Sequence, residues 1–211
     1  EGRGDWWKNT RLYVAPSDGS AAPRCLTADS DLHLGDSTLG DLAGFPGADP
    51  PPQWAPDGET LYVAGSQNGS TVLYGVSFED GSLSALSEEG AAHEGISLSA
   101  DATACAHIDP TMDDLGQVSV LDMTTGAQRR LSRFNASLFR SRDLGAVEEV
   151  WFTGPDDNDL QGWIMTPPDF DASRQYPSIM QIHGGPLAQY GYRFMHEFRL
   201  LAAQGYVVYF C

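Results

Sequence analysis

The chain has 211 residues and a formal net charge of −17, from 29 acidic and 12 basic side chains. Hydrophobic residues make up 41% and aromatic residues 10%, which is typical of a folded protein and excludes a disordered one. A surface this acidic repels nucleic-acid phosphates and anionic lipids, and no apolar run is long enough to cross a bilayer. We therefore expect neither a nucleic-acid partner nor a membrane partner.

The cysteines indicate no metal or redox chemistry. Cys25, Cys105 and Cys211 are odd in number and far apart, so they lack the short spacing of a metal site or a redox motif. No cluster of His and Cys has ligand spacing, and no glycine-rich loop has a phosphate-binding pattern. We predict unpaired thiols, mostly small core residues, in a reducing cytoplasmic compartment, and no metal or organic cofactor.

The first part of the chain repeats a hairpin pattern three times. TRLYVAPSDG, TVLYGVSFEDG and QVSVLDMTTG each place β-branched and aromatic residues before an Asp-Gly or Thr-Gly pair. Glycine in such a pair supplies the positive φ of a hairpin turn. Each stretch therefore predicts two antiparallel strands.

These hairpins recur at a regular interval. Gly81 and Gly126 are 45 residues apart, and WAPDGETLYVAG is repeated as LSADATACAHI with an offset of 44 residues. A period of roughly 40 to 50 residues with several strands is typical of β-propeller blades.

Residues 1–148 are accordingly predicted to contain about three propeller blades. Closed propellers have about four to eight blades, so we expect the chain to be part of a longer protein. The spacing between the first two hairpins is longer than the period, and residues 40–53 account for the excess. Their Gly, Pro and Asp content predicts a loop inserted between blades.

Residues 149–211 follow a different pattern. VEEVWFTG and LQGWIMTPP predict two strands, whereas YPSIMQIHGG and YVVYFC are nearly continuous in apolar residues and predict buried strands. Between the buried strands, RFMHEFRLLAAQG predicts an amphipathic helix that ends at Gly205. This order predicts an α/β domain with a parallel sheet, in which the last strand has parallel neighbours on both sides.

The order of the motifs resembles the prolyl oligopeptidase family of serine peptidases, and within it the acylaminoacyl-peptidase branch. WAPDG resembles the blade motif, LQGWIMTPP the first hairpin of the hydrolase domain, and HGGP followed by QYGY the oxyanion loop. The resemblance implies a multi-domain fold, with a partial β-propeller over residues 1–148 and the N-terminal part of an α/β-hydrolase domain over residues 149–211. It implies a serine peptidase that cleaves short peptides through an acyl-enzyme, with the propeller screening access.

The sequence His183-Gly184-Gly185-Pro186 carries the predicted chemistry. Acyl transfer passes through a tetrahedral oxyanion, which needs hydrogen-bond donors already aimed at the developing charge, and glycine lets the backbone approach closely. The resemblance implies that the Gly185 N–H is this donor and that His183, Gly184, Pro186 and Tyr190 contact substrate. In other branches a tyrosine occupies the position of His183 and helps to hold the oxyanion. The role of that tyrosine hydroxyl cannot be carried over to His183. The alternative to substrate contact by His183 is a structural role, in which its imidazole orders the loop.

The rest of the catalytic machinery is absent from the sequence. G-x-S-x-G does not occur, and the resemblance places serine, aspartate and histidine beyond Cys211. We therefore expect a segment that is inactive by itself and needs the rest of the same enzyme chain.

Three alternatives remain open. A carboxypeptidase or oligopeptidase of the same family could hold a substrate carboxylate with Arg129 or Arg130. A propeller-bearing binding protein would have an inactive hydrolase domain, and an esterase or lipase would fit HGGP but not the blades. Self-association through exposed strand edges also remains open.

Overall fold

The structure, a computed structural model, describes residues 7–41, 51–185 and 187–211. Within these ranges the chain forms 15 strands in four sheets and two short helices. The strands of the first part, called here the antiparallel part, are β1 (Tyr13–Val14), β2 (Arg24–Cys25), β3 (His33–Leu34), β4 (Gln53–Trp54), β5 (Thr60–Gln67), β6 (Ser70–Ser77), β7 (Leu83–Ala85), β8 (Glu94–Leu98), β9 (Ala104–Ile108), β10 (Val118–Asp122) and β11 (Gln128–Arg130). The elements that follow are α1 (Ala136–Arg140), β12 (Val147–Thr153), β13 (Asp159–Met165), β14 (Ser178–Gln181), α2 (His196–Ala203) and β15 (Val207–Phe210).

All three predicted hairpins are present. The antiparallel pairs are β1 with β2, β6 with β7, and β10 with β11. The turn glycines Gly19, Gly81 and Gly126 have φ of 70°, 75° and 72°, the left-handed region that glycine enters without steric cost. The prediction that glycine supplies the positive φ of these turns is therefore confirmed.

The second repeated feature also forms equivalent structure. It gives the antiparallel pairs β4 with β5 and β8 with β9. Gly58 in the first copy has φ of 72°, and Ala102, at the offset of 44 residues, has φ of 52°. The backbone conformation of the turn is thus retained where glycine is replaced by alanine.

Both strands that flank the predicted loop at residues 40–53 pair with β5. β3 pairs with Ser66 and Gly65 of β5, and β4 pairs with Tyr62 and Leu61 of the same strand. Because β6 occupies the other edge of β5, β3 and β4 share one strand position of a single sheet. Most of the predicted loop, residues 42–50, lies outside the described residues, so a loop between blades stays a prediction.

The antiparallel part forms consecutive small sheets. The order β8-β9-β10-β11 is a four-stranded meander, and β5, β6 and β7 form a second meander with β3 and β4 at its first edge. Apolar side chains fill the space around β5 and β6, with Val76 fully buried and Leu73 2% exposed. No closed ring of sheets occurs within the described ranges, so the propeller stays a prediction.

The elements after α1 form a mixed sheet with the order β12-β13-β15-β14. β14 and β15 are parallel and are connected through α2, whereas β13 is antiparallel to both β12 and β15. The predicted parallel pair is present, but the prediction of parallel neighbours on both sides of β15 is wrong. The prediction that β14 is a buried strand is also wrong, since its residues are exposed or half-buried in this structure and Met180 is 65% exposed. An apolar run does not determine the direction of the neighbouring strand.

Helix α2 covers one face of this sheet, and it begins at His196. Phe198 and Ala202 on its inner side are 1% and 0% exposed. The helix stops at Gly205 as predicted, because Gly205 has φ of 92° and donates its N–H to the Ala202 carbonyl. No helix in the described residues has both the length and the apolar character needed to cross a bilayer.

Candidate active site

The HGGP loop begins where β14 ends. Gln181, the last residue of β14, is paired with Phe210 of the parallel strand β15. The loop therefore leaves the carboxyl end of a parallel pair, which is where open α/β sheets bind their ligands.

The two loop glycines differ in what they require. Gly185 has φ of 145°, a conformation rare for L-residues, and an added Cβ would lie 3.0 Å from the Leu187 nitrogen. Gly184 is exposed, and a Cβ there would meet nothing within 4 Å. No residue in the described ranges accepts a hydrogen bond from the Gly185 N–H. The backbone thus requires glycine at 185.

His183 contacts the loop itself. Its Nδ1 lies 2.8 Å from the Gly184 carbonyl oxygen, and its ring meets the Tyr190 ring edge-on at 5.2 Å. In the tautomer with the proton on Nδ1, the ring donates a hydrogen bond to that carbonyl. These contacts favour an ordering role for the imidazole, and direct substrate contact stays a prediction.

Tyr190 lies in the core beneath the loop. It is 9% exposed and its ring packs edge-on against Phe198 and Phe210 at 5.3 and 5.8 Å. Burial raises the pKa of Tyr190, and the negative charge of Glu197 adds to the shift. Its observed contacts position the loop, and a role in substrate binding stays a prediction. Pro186, the remaining predicted substrate contact, lies outside the described residues.

The two candidate carboxylate anchors sit on β11 and differ in their neighbours. Arg130 lies 3.6 Å from Asp109 and 3.4 Å from Asp114, so its charge is already compensated. Arg129 is exposed on the opposite face of the strand, because side chains alternate along a strand. The two arginines therefore do not act together at one site.

Beyond the loop, residues 189–193 contact the antiparallel part, and we call them the docking segment. Gln189 donates its backbone N–H to the Ser37 carbonyl at 3.0 Å and accepts from the Leu39 N–H at 2.8 Å. The result is an isolated parallel bridge between Thr38 and Gln189. The sequence analysis missed this contact, because no local pattern links residues about 150 positions apart.

The side chain of Gln189 extends the same contact. Its amide nitrogen donates to the Thr38 hydroxyl at 2.8 Å and to the Ser70 carbonyl at 3.1 Å. Its amide oxygen accepts from the Gly69 N–H at 3.2 Å. Both ends of the amide are therefore held by the antiparallel part.

Arg193 adds charge to the docking segment. Its guanidinium lies 2.7 Å from an Asp36 carboxylate oxygen and 3.4 Å from Glu94, and it donates to the Thr38 carbonyl at 2.9 Å. Burial raises the pKa of Glu94, and the nearby Arg193 charge lowers it in part. These groups are mostly shielded from water, so their attraction is weakly screened by salt.

Close backbone packing adds to the contact between the docking segment and the antiparallel part, which we call the joint. A Cβ on Gly191 would lie 1.9 Å from the Gly69 carbonyl oxygen, and a Cβ on Gly69 would lie 2.7 Å from the Trp163 ring. Gly69 and Asn68 form the tight turn between β5 and β6, with φ of 70° and 48°. The Asn-Gly pair is a strong sequence signal for this hairpin that the analysis did not use, although it does not predict the docking.

Helix α2 is attached to the antiparallel part at its N-terminus and through Arg199 in its middle. Asp41 accepts hydrogen bonds from the N–H groups of His196 at 3.0 Å and Glu197 at 2.5 Å, and so caps the helix from another part of the chain. Arg199, which is 6% exposed, donates to the Met112 carbonyl at 2.8 Å and pairs with Asp113. The loop is therefore followed by a segment and a helix that the antiparallel part holds in place.

The chain resembles known peptidases in sequence, although no family model matches it. It is 34% identical over 187 residues to a Bacillus subtilis protein named "Uncharacterized peptidase YuxL", covering 87% of this chain and 28% of that protein. It is 28% identical over 160 residues to dipeptidyl-peptidase 5 of Porphyromonas gingivalis, covering 74% of this chain and 23% of that protein. The chain thus spans about a quarter of the length of these relatives.

The fold is also similar to a solved structure. The acylaminoacyl peptidase of Pyrococcus horikoshii matches 96% of this chain with a TM-score of 0.70 and 20% sequence identity, and the match covers 28% of that enzyme. This likeness concerns the fold, since the identity is low. Together with the peptidase relatives and the HGGP loop after β14, it shows that the chain belongs to the prolyl oligopeptidase family of peptidases.

Proposed function

We propose that the protein containing this chain is a serine peptidase that hydrolyses short peptides, and that the Gly185 N–H is one of its two oxyanion donors. The conformation of Gly185 carries the proposal. Its φ of 145° places an amide with no acceptor in the described ranges on an exposed loop at the carboxyl end of β14.

The chemistry assigned to this loop is electrostatic. When a nucleophile adds to a peptide carbonyl, the carbonyl oxygen becomes an oxyanion, and the Gly185 N–H donates a hydrogen bond to it. Gly184 has no side chain to hold the substrate away from that amide. Loss of one such donor typically costs about 100-fold to 1000-fold in kcat. The nucleophilic serine, its histidine and the orienting aspartate belong, in this proposal, to the rest of the enzyme chain.

We extend the proposal to the domain organisation. Residues 1–148 would be propeller blades that screen access, and residues 149–211 would begin the hydrolase domain. The successive antiparallel sheets, the mixed sheet and the similarity to an acylaminoacyl peptidase over 96% of the chain support this division. β12 begins at Val147, slightly before the proposed boundary.

For the substrate, we favour peptides with a blocked N-terminus, on the basis of the acylaminoacyl-peptidase fold. Release of dipeptides from a free N-terminus is the second candidate, because one relative is named dipeptidyl-peptidase 5. Carboxypeptidase or oligopeptidase activity and an inactive binding protein are the remaining alternatives. A cytoplasmic location and self-association stay predictions.

The test uses the full-length protein with three chromogenic or fluorogenic peptides of matched sequence. The first peptide carries an acetylated N-terminal residue, and the second begins with a dipeptide whose N-terminus is free. The third has a free C-terminal carboxylate and is compared with its amidated form. Preferential cleavage of the acetylated peptide, abolished by replacing the serine of the G-x-S-x-G motif, supports the proposal. Preference for the free dipeptide selects the second candidate, and no cleavage of any peptide overturns the peptidase assignment.

A further inference from the structure

We infer that the antiparallel part positions the oxyanion donor through Gln189, which makes Gln189 a positioning residue for catalysis. This inference rests on the proposed role of Gly185. It assigns the first part of the chain a direct influence on the rate of the chemical step, in addition to any control of access.

Gln189 lies close to the donor residue Gly185 along the chain. Gln189 follows Gly185 by four residues, and each residue spans at most about 3.6 Å. The loop is fixed at one end by the pairing of Gln181 with Phe210 in its own sheet. Its other end is fixed at Gln189 by the backbone bridge to Thr38 and by both ends of the side-chain amide. One anchor of the donor loop thus belongs to the mixed sheet and the other to the antiparallel part.

The hydrogen bond between the Gln189 amide and the Thr38 hydroxyl belongs to a buried polar network. The Thr38 hydroxyl that receives the Gln189 amide is itself 2.9 Å from the Thr71 hydroxyl, and Thr71 donates to Asp36 at 2.9 Å. Thr38 and Thr71 are 4% and 0% exposed. Removing a partner from a buried network leaves groups unsatisfied, so the network tolerates few positions of the amide.

Contacts other than the Gln189 side chain hold the docking segment on the antiparallel part. Arg193 pairs with Asp36, and Gly191 lies in backbone contact with Gly69, so the two parts stay attached without the Gln189 side chain. Gln189→Ala also keeps the backbone bridge to Thr38, so the joint should stay assembled. It removes the three side-chain hydrogen bonds, which should allow residue 189 and the loop before it to shift. A displacement of about 1 Å at a reacting centre can cost on the order of 100-fold in rate.

The experiment compares Gln189→Ala with Gln117→Ala in the full-length enzyme. Gln117 is the control because its side-chain amide, like that of Gln189, is held at both ends, by four hydrogen bonds with Asp114, Ser132 and both backbone groups of Phe134, none of which belongs to the loop or the docking segment. The readouts are kcat, KM, the thermal midpoint, and the inhibition constant of a peptide aldehyde. The serine adds to the aldehyde carbonyl, whose oxygen becomes an oxyanion, whereas the peptide product of cleavage, whose binding is measured in parallel, forms no such adduct.

For Gln189→Ala we expect kcat to fall by about 10-fold to 100-fold, with KM changed by about two-fold or less. The aldehyde inhibition constant should rise by the same factor as kcat/KM falls, and binding of the product peptide should not change. For Gln117→Ala we expect a lower thermal midpoint with kcat unchanged.

Two failures are distinguishable. An active wild type in which Gln189→Ala retains kcat and aldehyde affinity, or loses no more than Gln117→Ala, overturns the inference alone. A wild type that cleaves no peptide and binds no aldehyde overturns the proposed function, and the positioning role falls with it.

Discussion

Neighbouring residues of the docking segment are held by two different kinds of contact. Gln189 and Arg193 make hydrogen bonds and ion pairs to the antiparallel part. Tyr190, between them, packs against Phe198 and Phe210 in the core of the mixed-sheet part. Buried polar contacts restrict geometry more than they add stability, whereas aromatic burial adds stability with looser geometric demands. The joint therefore defines where the loop lies, and the core keeps the mixed-sheet part folded.

The largest effect should come from the core. Phe198→Ala removes a side chain that is 1% exposed and leaves a cavity, so we expect a loss of about 3 to 5 kcal/mol in the free energy of unfolding. Leu200→Ala on the same helix is the control, because Leu200 is 53% exposed and should change stability by about 0.5 kcal/mol or less. Urea unfolding of the full-length protein measures both. Equal losses would show that the core does not have the stabilising role assigned to it.

A smaller effect should come from overpacking the joint. Gly191→Ala places a Cβ 1.9 Å from the Gly69 carbonyl oxygen, so the two parts must separate locally at a cost of about 1 to 3 kcal/mol. Gly184→Ala is the control for stability, because a Cβ there meets nothing within 4 Å and its φ lies outside the left-handed region. The same urea titration applies. A Gly184→Ala loss as large as that of Gly191→Ala would contradict the close packing.

The cap across the joint should contribute less again. Asp41→Ala removes the acceptor for the N–H groups of His196 and Glu197, which should cost about 0.5 to 2 kcal/mol. Asp41→Asn should retain only part of the stability, since its single amide oxygen can accept from one of the two N–H groups. Thermal midpoints distinguish the two variants. Identical midpoints for Asp41→Ala and the wild type would show that the cap adds nothing to stability.

The last prediction concerns the pH dependence of stability, and the expected loss is absent at neutral pH. The His93 and His107 rings are buried edge-on at 4.7 Å, and burial lowers both pKa values, that of His107 to about 4. His93 also lowers the pKa of His107, whereas Asp109 raises both in part. An unfolded histidine takes up a proton below about pH 6.5, so stability should fall as the pH drops from about 6.5 towards 4.

The check is the urea midpoint as a function of pH. His107→Gln should flatten the curve in part in that interval, because glutamine does not titrate while His93 still does. A wild-type midpoint that is constant from pH 7 to pH 4.5 would contradict the prediction.

Local features of the fold could be predicted from the sequence, and long-range contacts could not. Gly19, Gly81 and Gly126 signal their hairpins because a positive φ is a local requirement. Gly185 is similarly visible, since HGGP predicts a backbone that approaches a ligand. The position of β13 beside β15 depends on pairing between distant strands, and neither apolar run encodes it. Gln189 is equally hidden, because a glutamine after a loop has no sequence signature for a partner such as Thr38.

The segment that follows β3 has a consequence for how this protein can tolerate change. Loops at a protein surface usually accept insertions and deletions, since their length affects little else. Here β3 pairs with β5, while Asp36, Thr38 and Asp41 in the residues that follow contact the docking segment and α2. The stretch 35–41 therefore acts as a spacer of defined length, and adding or removing a residue within it would shift its contacts out of register with the docking segment and α2.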